Sequence, residues 1–144
     1  MLGRGENSIF EIATELAEES VRTQLIPVIA DVRDHAKIAQ VYERYRPHVV
    51  FHAAAHKHVP LMESEPDEAV KNNVFGTLNV AEIALENEVE VFVMISTDKA
   101  IKPTSVMGAT KKVTEHIIQD LSCQGETKFV VVRFGNVLNT RGSI

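Results

Sequence analysis

Residues able to do acid–base chemistry are concentrated in one segment, residues 96–111. This segment contains Asp98 and Lys99, two neighbouring groups that can donate or accept a proton, and further cations at Lys102 and Lys111. Successive side chains of an extended strand point to opposite faces, so Asp98 and Lys99 can act on one substrate only if the chain has already turned out of the sheet. The segment therefore predicts proton transfer beside a strand end.

Lys99 can act as a base only if its surroundings favour the neutral amine. An ordinary lysine ammonium is a poor base at neutral pH. Burial and the neighbouring cations Lys102 and Lys111 would disfavour the charged form, and Asp98 could then act as the proton donor. The alternative is a surface Asp–Lys pair without a chemical role. Met107 and Lys111 are four residues apart, so they share a face of the helix predicted there.

A second segment with chemical potential contains three histidines and a lysine, His52, His56, Lys57 and His58. A metal site is the weaker interpretation, because no cysteine or paired carboxylate accompanies them. We predict that His52, inside an apolar run, is a hydrogen-bonded core histidine. We interpret His56 and Lys57 as donors to a phosphorylated or hydroxyl-rich ligand, with plain solvation as the alternative. The small side chains of residues 53–55 would let a flat group approach the backbone.

Strands and helices alternate along the sequence. Strands are predicted at the four apolar runs 25–32, 48–55, 90–96 and 128–134. Helices are predicted at 9–20, from Asp34 to Pro47, from Pro66 with Ser64 as N-cap to Glu86, and from 106 to 121. The consecutive apolar residues of 48–55 indicate a strand covered on both faces. On the last helix we expect an apolar stripe of Val106, Ala109, Val113, Ile117 and Leu121.

This alternation predicts an α/β fold with a doubly wound parallel sheet. Ligands of such sheets bind beyond the carboxyl ends of the strands, which makes four polar segments candidates for the site. These segments are residues 31–34, 53–63, 97–105 and 135–143. The chemical groups of both segments described above would then meet at one edge of the sheet.

Length and composition restrict the class of protein. With 144 residues, 44% of them hydrophobic, we expect a single domain spanning 1–144. A net charge of -5 argues against binding to nucleic acid or to an anionic membrane surface. Cys123 is the only cysteine, which excludes an intrachain disulfide and fits a reducing compartment. No apolar run approaches the roughly 18 residues of a membrane span, so we expect a cytoplasmic location and no membrane contact.

Five stretches of the sequence resemble a known family over nearly the whole chain. They are residues 51–63, 72–77, 96–100, 107–111 and 132–138. Together they resemble the nucleotide-sugar 4,6-dehydratases of bacterial capsule, exopolysaccharide and O-antigen synthesis, especially the large membrane-anchored type. These enzymes are extended short-chain dehydrogenase/reductases with a Rossmann-like fold.

The resemblance implies a reaction and three catalytic roles. A UDP-N-acetylhexosamine is oxidised at C4 by NAD(P), water is eliminated across C5 and C6, and the hydride returns to C6. By resemblance Lys99 takes the C5 proton, Asp98 assists departure of the C6 hydroxyl, and Thr97 steadies a sugar hydroxyl. NAD and NADP both remain open as the cofactor.

The resemblance also implies binding residues. Lys111 would hold the nicotinamide ribose, and Asp31 and Val32 would contact the adenine. The cofactor would be lined by Ala53, Ala54, Ala55 and Phe134. The substrate would be bound by His56, Lys57, Asn73 and Asn136, with Asn136 reaching the UDP phosphates and Asn73 similar to the family's active-site asparagine.

The sequence departs from the wider family in two respects. Met107 stands where most short-chain dehydrogenases have a tyrosine, and a thioether can neither donate nor accept a proton. We hypothesise that Lys111, Asp98 or a bound water takes over that role. The family's first strand with its glycine-rich loop and its C-terminal substrate domain are expected outside residues 1–144. The chain would then be an internal fragment that binds NAD(P) weakly by itself.

Two alternatives to a dehydratase follow from the same residues. One is a nucleotide-sugar 4-epimerase or 4-reductase, and the other is a non-catalytic dinucleotide-binding domain. The presence of both Asp98 and Lys99 speaks against the second alternative, because a non-catalytic domain does not need an acid and a base for the elimination of water. We expect the parent protein to form homo-oligomers.

Overall fold

The computed structural model describes residues 1–19 and 23–137. The first half contains β1 (Leu2–Gly3), α1 (Glu6–Glu18), β2 (Val28–Ile29), α2 (His35–Tyr45), β3 (Val49–His52), α3 (Val59–Ser64) and α4 (Pro66–Ala69). A π-helix (Val70–Phe75), α5 (Gly76–Glu86), β4 (Val91–Thr97), a 3₁₀ turn (Asp98–Ala100), α6 (Val106–Leu121) and β5 (Lys128–Phe134) follow.

All strand pairs are parallel, which confirms the predicted α/β class. The strands form two groups, a pair β1-β2 and a three-stranded sheet in the order β3-β4-β5. In the larger sheet Ser96 on β4 is the register partner of Arg133 on β5. Because parallel strands start and finish at the same edges, the segments after β3, β4 and β5 meet at one end of this sheet.

The prediction that residues 48–55 form a strand covered on both faces is wrong. Only Val49–His52 pairs as a strand, and the side chains alternate, with His52 buried and Phe51 73% exposed. The exposed side faces a groove that separates β3 from β1. The predicted strand 25–32 is likewise shorter, because hydrogen-bonded pairing extends only over Val28–Ile29.

The long helix predicted from Pro66 to Glu86 is interrupted by a π-helix over Val70–Phe75. Its end at Glu86 is as predicted. Its predicted N-cap, Ser64, instead ends α3, and Glu65 occupies the cap position without a side-chain hydrogen bond. The π-helix carries Asn73, which matters for the site described below.

The apolar stripe predicted for α6 is only partly the buried face of this helix: Leu121 is buried in the main core and Ile117 packs against it. Ala109 and Val113 are exposed, whereas Met107, Lys111 and Glu115 are buried. The buried face therefore carries charged residues, which find partners on β4 and β5. An analysis of apolar residues alone could not identify this face, because the partners belong to other elements.

The main core lies between the larger sheet and helices α2, α5 and α6. Its fully buried side chains include Phe92, Met94, Ile38, Ile83 and Ile118. Phe92 packs against Phe129 with ring centroids 5.3 Å apart. Because β4 is the central strand and its alternate residues are buried, the segment that follows it starts from a rigid base.

The predicted N-cap of α2 is confirmed and provides a test of the fold. The carboxylate of Asp34 accepts a hydrogen bond from the backbone N–H of Lys37 at 3.0 Å. We expect Asp34→Ala to lower the free energy of unfolding by about 1 kcal/mol, because one helix N–H loses its acceptor. Urea unfolding would measure this loss, and Asp34→Ser should recover most of it. Equal stability of the alanine variant would contradict the assignment.

Candidate active site

A cavity of about 450 Å³ lies at the carboxyl ends of β4 and β5. It is lined by the loop after β3, the end of β4, the first two turns of α6 and the segment after β5. Its walls contain Ala53, Ala55, His56, Lys57, His58, Ile95, Ser96, Thr97, Lys99, Met107, Lys111, Phe134, Gly135, Asn136 and Val137. Most of the catalytic and substrate residues implied by the resemblance therefore surround one space.

The chain turns out of the sheet directly after Thr97, as the chemistry of Asp98 and Lys99 requires. Strand β4 ends at Thr97, and a 3₁₀ turn over Asp98–Ala100 follows, in which the two side chains contact each other. The Lys99 ammonium lies 3.4 Å from Asp98 Oδ1 and 3.4 Å from the side-chain oxygen of Asn136. Asp98 and Lys99 thus form a contacting pair, with Lys99 in the cavity wall.

Asp98 is held as a carboxylate in this arrangement. The Thr97 hydroxyl donates to Asp98 Oδ1 at 2.9 Å, and together with the Lys99 ammonium it lowers the pKa of Asp98 below its ordinary value. Lys99 is partly exposed, with 42% of its side chain accessible. The burial that the sequence required of Lys99 is therefore absent, and the protonation of this pair must change before it can eliminate water.

Lys111 is the buried cation of the site. Its residue is only 4% exposed, and its ammonium donates to the backbone carbonyl of Ile95 at 2.7 Å. Burial lowers the pKa of Lys111 to about 8, an effect that Glu115 partly offsets. A lysine ammonium has three N–H groups, and Ile95 O is the one hydrogen-bond acceptor that the described residues provide. Lys111 can therefore donate to a ligand in the cavity and can exist in part as a neutral amine near neutral pH.

Met107 occupies the cavity wall but is mainly a packing residue. It is 5% exposed and forms a small apolar cluster with Met62 and Ala69, against which Val59 and Val106 pack. This cluster joins α3 and α4 to the start of α6. The structure therefore shows what the thioether contacts at the position where a tyrosine is usual, namely the apolar side chains behind the cavity.

Asn73 lies behind the cavity and positions the loop that lines it. Its side-chain oxygen accepts from the backbone N–H of His56 at 2.7 Å and from Asn72, and its amide donates to His56 O and to Thr110 Oγ1, both at 3.1 Å. Both N–H groups and both acceptor positions are thus occupied. Asn73 is completely buried and fixes the backbone of the His56–Lys57 segment against α6.

A larger groove of about 1,140 Å³ separates β1 from β3 and reaches the same loop. Val32 and all three alanines, Ala53, Ala54 and Ala55, line it, and Ala53 and Ala55 also line the smaller cavity. The small side chains leave the backbone accessible to a flat group. The groove and the cavity are therefore adjacent regions on the two sides of the alanine segment.

Asp31 is placed beside the groove but is already paired. Arg33 donates to both carboxylate oxygens, with distances of 2.7 to 3.1 Å, and Arg4 approaches to 3.7 Å. The hydrogen bonds from Arg33 are the main reason why the pKa of Asp31 falls to about 2. A ligand that contacts Asp31 must share this carboxylate with two guanidinium groups. Val32 is buried, and its carbonyl accepts from Asn79 at 2.6 Å.

The three histidines of the second chemical segment have different surroundings. His52 is buried and its Nε2 lies 2.9 Å from the Thr77 hydroxyl, which confirms it as a hydrogen-bonded core histidine. Burial lowers the pKa of His52 to about 3, so it is neutral at physiological pH. His56 and His58 line the cavity. Within residues 1–19 and 23–137, no group of three acidic, histidine or cysteine side chains could hold a metal ion.

Several residues that shape the site were not identified from the sequence. Glu115 accepts from Ser96 and from Arg133 and joins α6 to β4 and β5. Glu63 on α3 accepts from the N–H of Val106 at 2.7 Å and so caps α6. The only sequence signal for Glu115 was its i+4 spacing from Lys111 on the same helix.

Parallel strands joined through helices, a cavity at their carboxyl ends and a buried lysine in the first turns of α6 define the class. This is an α/β protein with a Rossmann-like parallel sheet. More specifically, the chain belongs to the family described as polysaccharide biosynthesis protein, whose model matches residues 1–144. Within the described part of the chain, no helix is both long and apolar enough to cross a membrane.

Individual relatives agree with this membership. The chain is 56% identical over 146 residues to the capsular polysaccharide biosynthesis protein CapD of Staphylococcus aureus, covering 100% of this chain and 24% of CapD. It is 35% identical over 144 residues to a UDP-N-acetylglucosamine 4,6-dehydratase (inverting) of Campylobacter jejuni, covering 98% of this chain and 41% of that enzyme. The chain thus spans less than half the length of these relatives.

A solved structure shows the same arrangement in three dimensions. The structure of Pen from Bacillus thuringiensis superimposes with a TM-score of 0.86 at 37% sequence identity. The superposition covers 99% of this chain and 43% of the Pen chain. The fold and the family are therefore established, whereas the reaction must be argued from the site.

Proposed function

We propose that the whole protein containing this chain is an NAD(P)-dependent 4,6-dehydratase of a UDP-N-acetylhexosamine in polysaccharide biosynthesis. The observation that carries this proposal is the convergence of Thr97, the Asp98–Lys99 pair and Lys111 at the end of β4. The Campylobacter relative is named for this reaction, and the match includes nearly the whole of this chain. A cytoplasmic location and homo-oligomeric assembly stay predictions.

The residues present fit part of a nicotinamide dinucleotide. Lys111 has free donor capacity toward ribose hydroxyls, and the alanine segment leaves room for a flat ring between cavity and groove. Phe134, at the end of β5, lines the cavity, and Val32 and Asp31 lie at the groove. When bound, NAD(P) would supply the hydride acceptor for C4 oxidation and the donor for C6. The sequence contains no Gly-x-x-Gly-x-x-Gly loop, so we assign no residue to the diphosphate.

The proposed elimination requires a different protonation state of the Asp98–Lys99 pair from the one in the structure. In the structure Asp98 is a carboxylate that accepts from Thr97 and lies 3.4 Å from the Lys99 ammonium. If a sugar hydroxyl accepts the hydrogen bond of the Thr97 hydroxyl, Asp98 loses a donor that favours its ionised form. In the proposed reaction Asp98 is the acid for the departing C6 hydroxyl, and the amine of Lys99 is the base for the C5 proton.

Three side chains would orient the sugar and the diphosphate. Asn136 contacts Lys99 and lines the cavity, which suits a contact to the UDP phosphates. His56 and Lys57 lie across the cavity on the loop that Asn73 fixes. We therefore assign Asn73 to positioning this loop and not to contacting substrate through its side chain.

The reaction is tested by the mass of the product. The whole protein is incubated with UDP-N-acetylglucosamine and NAD or NADP, and the product is examined by mass spectrometry. A dehydratase gives a product that has lost one water, whereas an epimerase gives a product of unchanged mass. A 4-reductase gives no product, because this substrate has no keto group and an oxidised cofactor carries no hydride. A product of unchanged mass, or no turnover with either cofactor, would contradict the proposal.

Lys99→Ala provides the residue-level prediction. We expect it to lower water elimination by about 10²- to 10⁴-fold, because the base for the C5 proton is lost. It should also abolish exchange of the C5 hydrogen with deuterium from solvent. Lys128→Ala, at the opposite end of β5, is the matched control and should retain full activity. Undiminished exchange in Lys99→Ala would transfer the role of base to another group.

A further inference from the structure

Glu115 is a buried carboxylate with two side-chain partners, and the proposed function assigns it no contact with the substrate. It is 8% exposed and accepts from the Ser96 hydroxyl at 2.7 Å. Arg133 donates to both of its oxygens, through Nε at 2.8 Å and through its terminal nitrogen at 2.7 Å. Ser96 and Arg133 are register partners on β4 and β5, so Glu115 clamps these two strands from α6.

The clamp is linked to Lys111 through one peptide group. Lys111 lies one helical turn before Glu115 on the buried face of α6. Its ammonium donates to the carbonyl of Ile95, and the peptide bond of that carbonyl leads directly to Ser96. The carbonyl that accepts from Lys111 and the hydroxyl that donates to Glu115 thus belong to adjacent residues of β4.

We propose that Arg133, Glu115 and Ser96 form a positioning network that fixes Lys111 against a neutral carbonyl and withholds the Glu115 carboxylate from it. Both oxygens of Glu115 are occupied by the guanidinium of Arg133, an arrangement with fixed bidentate geometry. Without Arg133, the nearest carboxylate on the same helix face would be available to the ammonium. The network thus leaves the remaining N–H groups of Lys111 free for a ligand. Its relevance to catalysis rests on the proposed function.

Other charged and titratable groups also face Lys111. On its own helix this group is Glu115. The partner of Glu115, Arg133, lies on β5. From the other elements they are His52 on β3, His56, Lys57 and His58 after β3, and Lys99 after β4. His52 is neutral at physiological pH, so the cations of the cavity wall and the Glu115–Arg133 pair determine the local field.

The network predicts opposite effects of its two charges. Glu115 favours the ammonium form of Lys111. Arg133 is paired with the same carboxylate, so we expect its cation to offset part of this attraction. Glu115→Gln keeps an acceptor for Ser96 but removes the negative charge, so Lys111 should lose its proton at lower pH. Arg133→Gln removes the neutralising cation, so Lys111 should keep its proton to higher pH. Removing both charges should nearly restore the pH at which Lys111 loses its proton in the unmodified protein.

The experiment is competitive acetylation of lysines with acetic anhydride, read by mass spectrometry across pH, with Lys128 as the internal reference. For the unmodified protein we expect a midpoint for Lys111 near 8. Glu115→Gln should lower the midpoint and Arg133→Gln raise it, each by about one pH unit, and the double variant should lie close to the unmodified protein. A structural role alone would loosen the site and move both single variants upward. That result, or no shift in either, would overturn the proposal.

A second pair of variants protects the test against loss of folding. Arg133 is 43% exposed in its side chain, so changes there should be tolerated. Arg133→Lys keeps the cation and should hold the midpoint near that of the unmodified protein, whereas Arg133→Gln should raise it. Equal midpoints for these two variants would contradict the network even if Glu115→Gln does not fold. The labelling requires neither substrate nor NAD(P), so its outcome is independent of whether the protein is a dehydratase.

Discussion

Replacing Lys111 with methionine is expected to lower turnover of a UDP-N-acetylhexosamine by at least about 100-fold while the fold is retained. The side chain is 4% exposed and faces the cavity beside the end of β4. Methionine has a similar length and fills the same apolar path, but it cannot donate to a ribose or carry a proton. Turnover would be compared for the variant and the unmodified protein, and their NAD(P) binding would be measured by calorimetry.

The same substitution should change how stability depends on pH. Burial lowers the pKa of folded Lys111 to about 8 from an ordinary value of 10.5. Between these values the unfolded chain binds more protons, so the free energy of unfolding rises with pH. Below pH 8 the full cost of burying the charge is present, and it disappears as the pH approaches 10.5. The contribution is at most about 3 kcal/mol.

Lys111→Met removes this part of the pH dependence. Urea unfolding at about pH 7.5 and about pH 10 should show a smaller rise for the variant than for the unmodified protein. The variant also leaves the Ile95 carbonyl without its donor, which costs about 1 kcal/mol and limits the gain at neutral pH. Lys112→Met, the next residue on the same helix, is the matched control. If Lys111→Met kept both turnover and the original pH slope, the burial and the role of Lys111 would both be contradicted.

The sequence predicted the elements best where local signals were strong. Strand β5 has the predicted limits Lys128 and Phe134, because a run rich in apolar residues ends in a polar segment. The cap at Asp34 was likewise predictable, since its acceptor and donor are three residues apart. The two-residue strand β2 was not, because hydrogen-bonded pairing depends on the neighbour available and not on apolar content alone.

The family resemblance predicted several residues that lie together at the candidate site, but it did not predict the electrostatics of that site. Thr97, Lys99, Lys111, Phe134 and Asn136 were identified and do surround one cavity. The pairing of Glu115 with Ser96 and Arg133 depends on the register of β4 with β5 and on the rotation of α6 against them. Apolar periodicity gave only part of the buried face of this helix, because its charged members are compensated by residues 16 to 19 positions away.

Gly108→Ala is expected to damage the site although it replaces glycine within a helix. In an exposed helix this change stabilises by about 1 kcal/mol. Here the added Cβ would lie 2.6 Å from the backbone carbonyl oxygen of Lys99 and 3.2 Å from Ser105 Oγ. The 3₁₀ turn that carries Asp98 and Lys99 must then move away from α6. We expect a net loss of about 1–3 kcal/mol in stability and a loss of activity of more than about tenfold.

Gly125→Ala is the matched control for this prediction, because it also creates a short contact but with a different kind of atom. Its Cβ would meet Leu85 Cδ1 at 2.8 Å, and the end of a leucine side chain can rotate away. It should therefore cost less than about 1 kcal/mol and leave activity unchanged. Urea unfolding and turnover would be measured for both variants. If Gly108→Ala behaved like Gly125→Ala, the close packing of α6 on the Lys99 carbonyl would not be what holds the Asp98–Lys99 pair at the cavity.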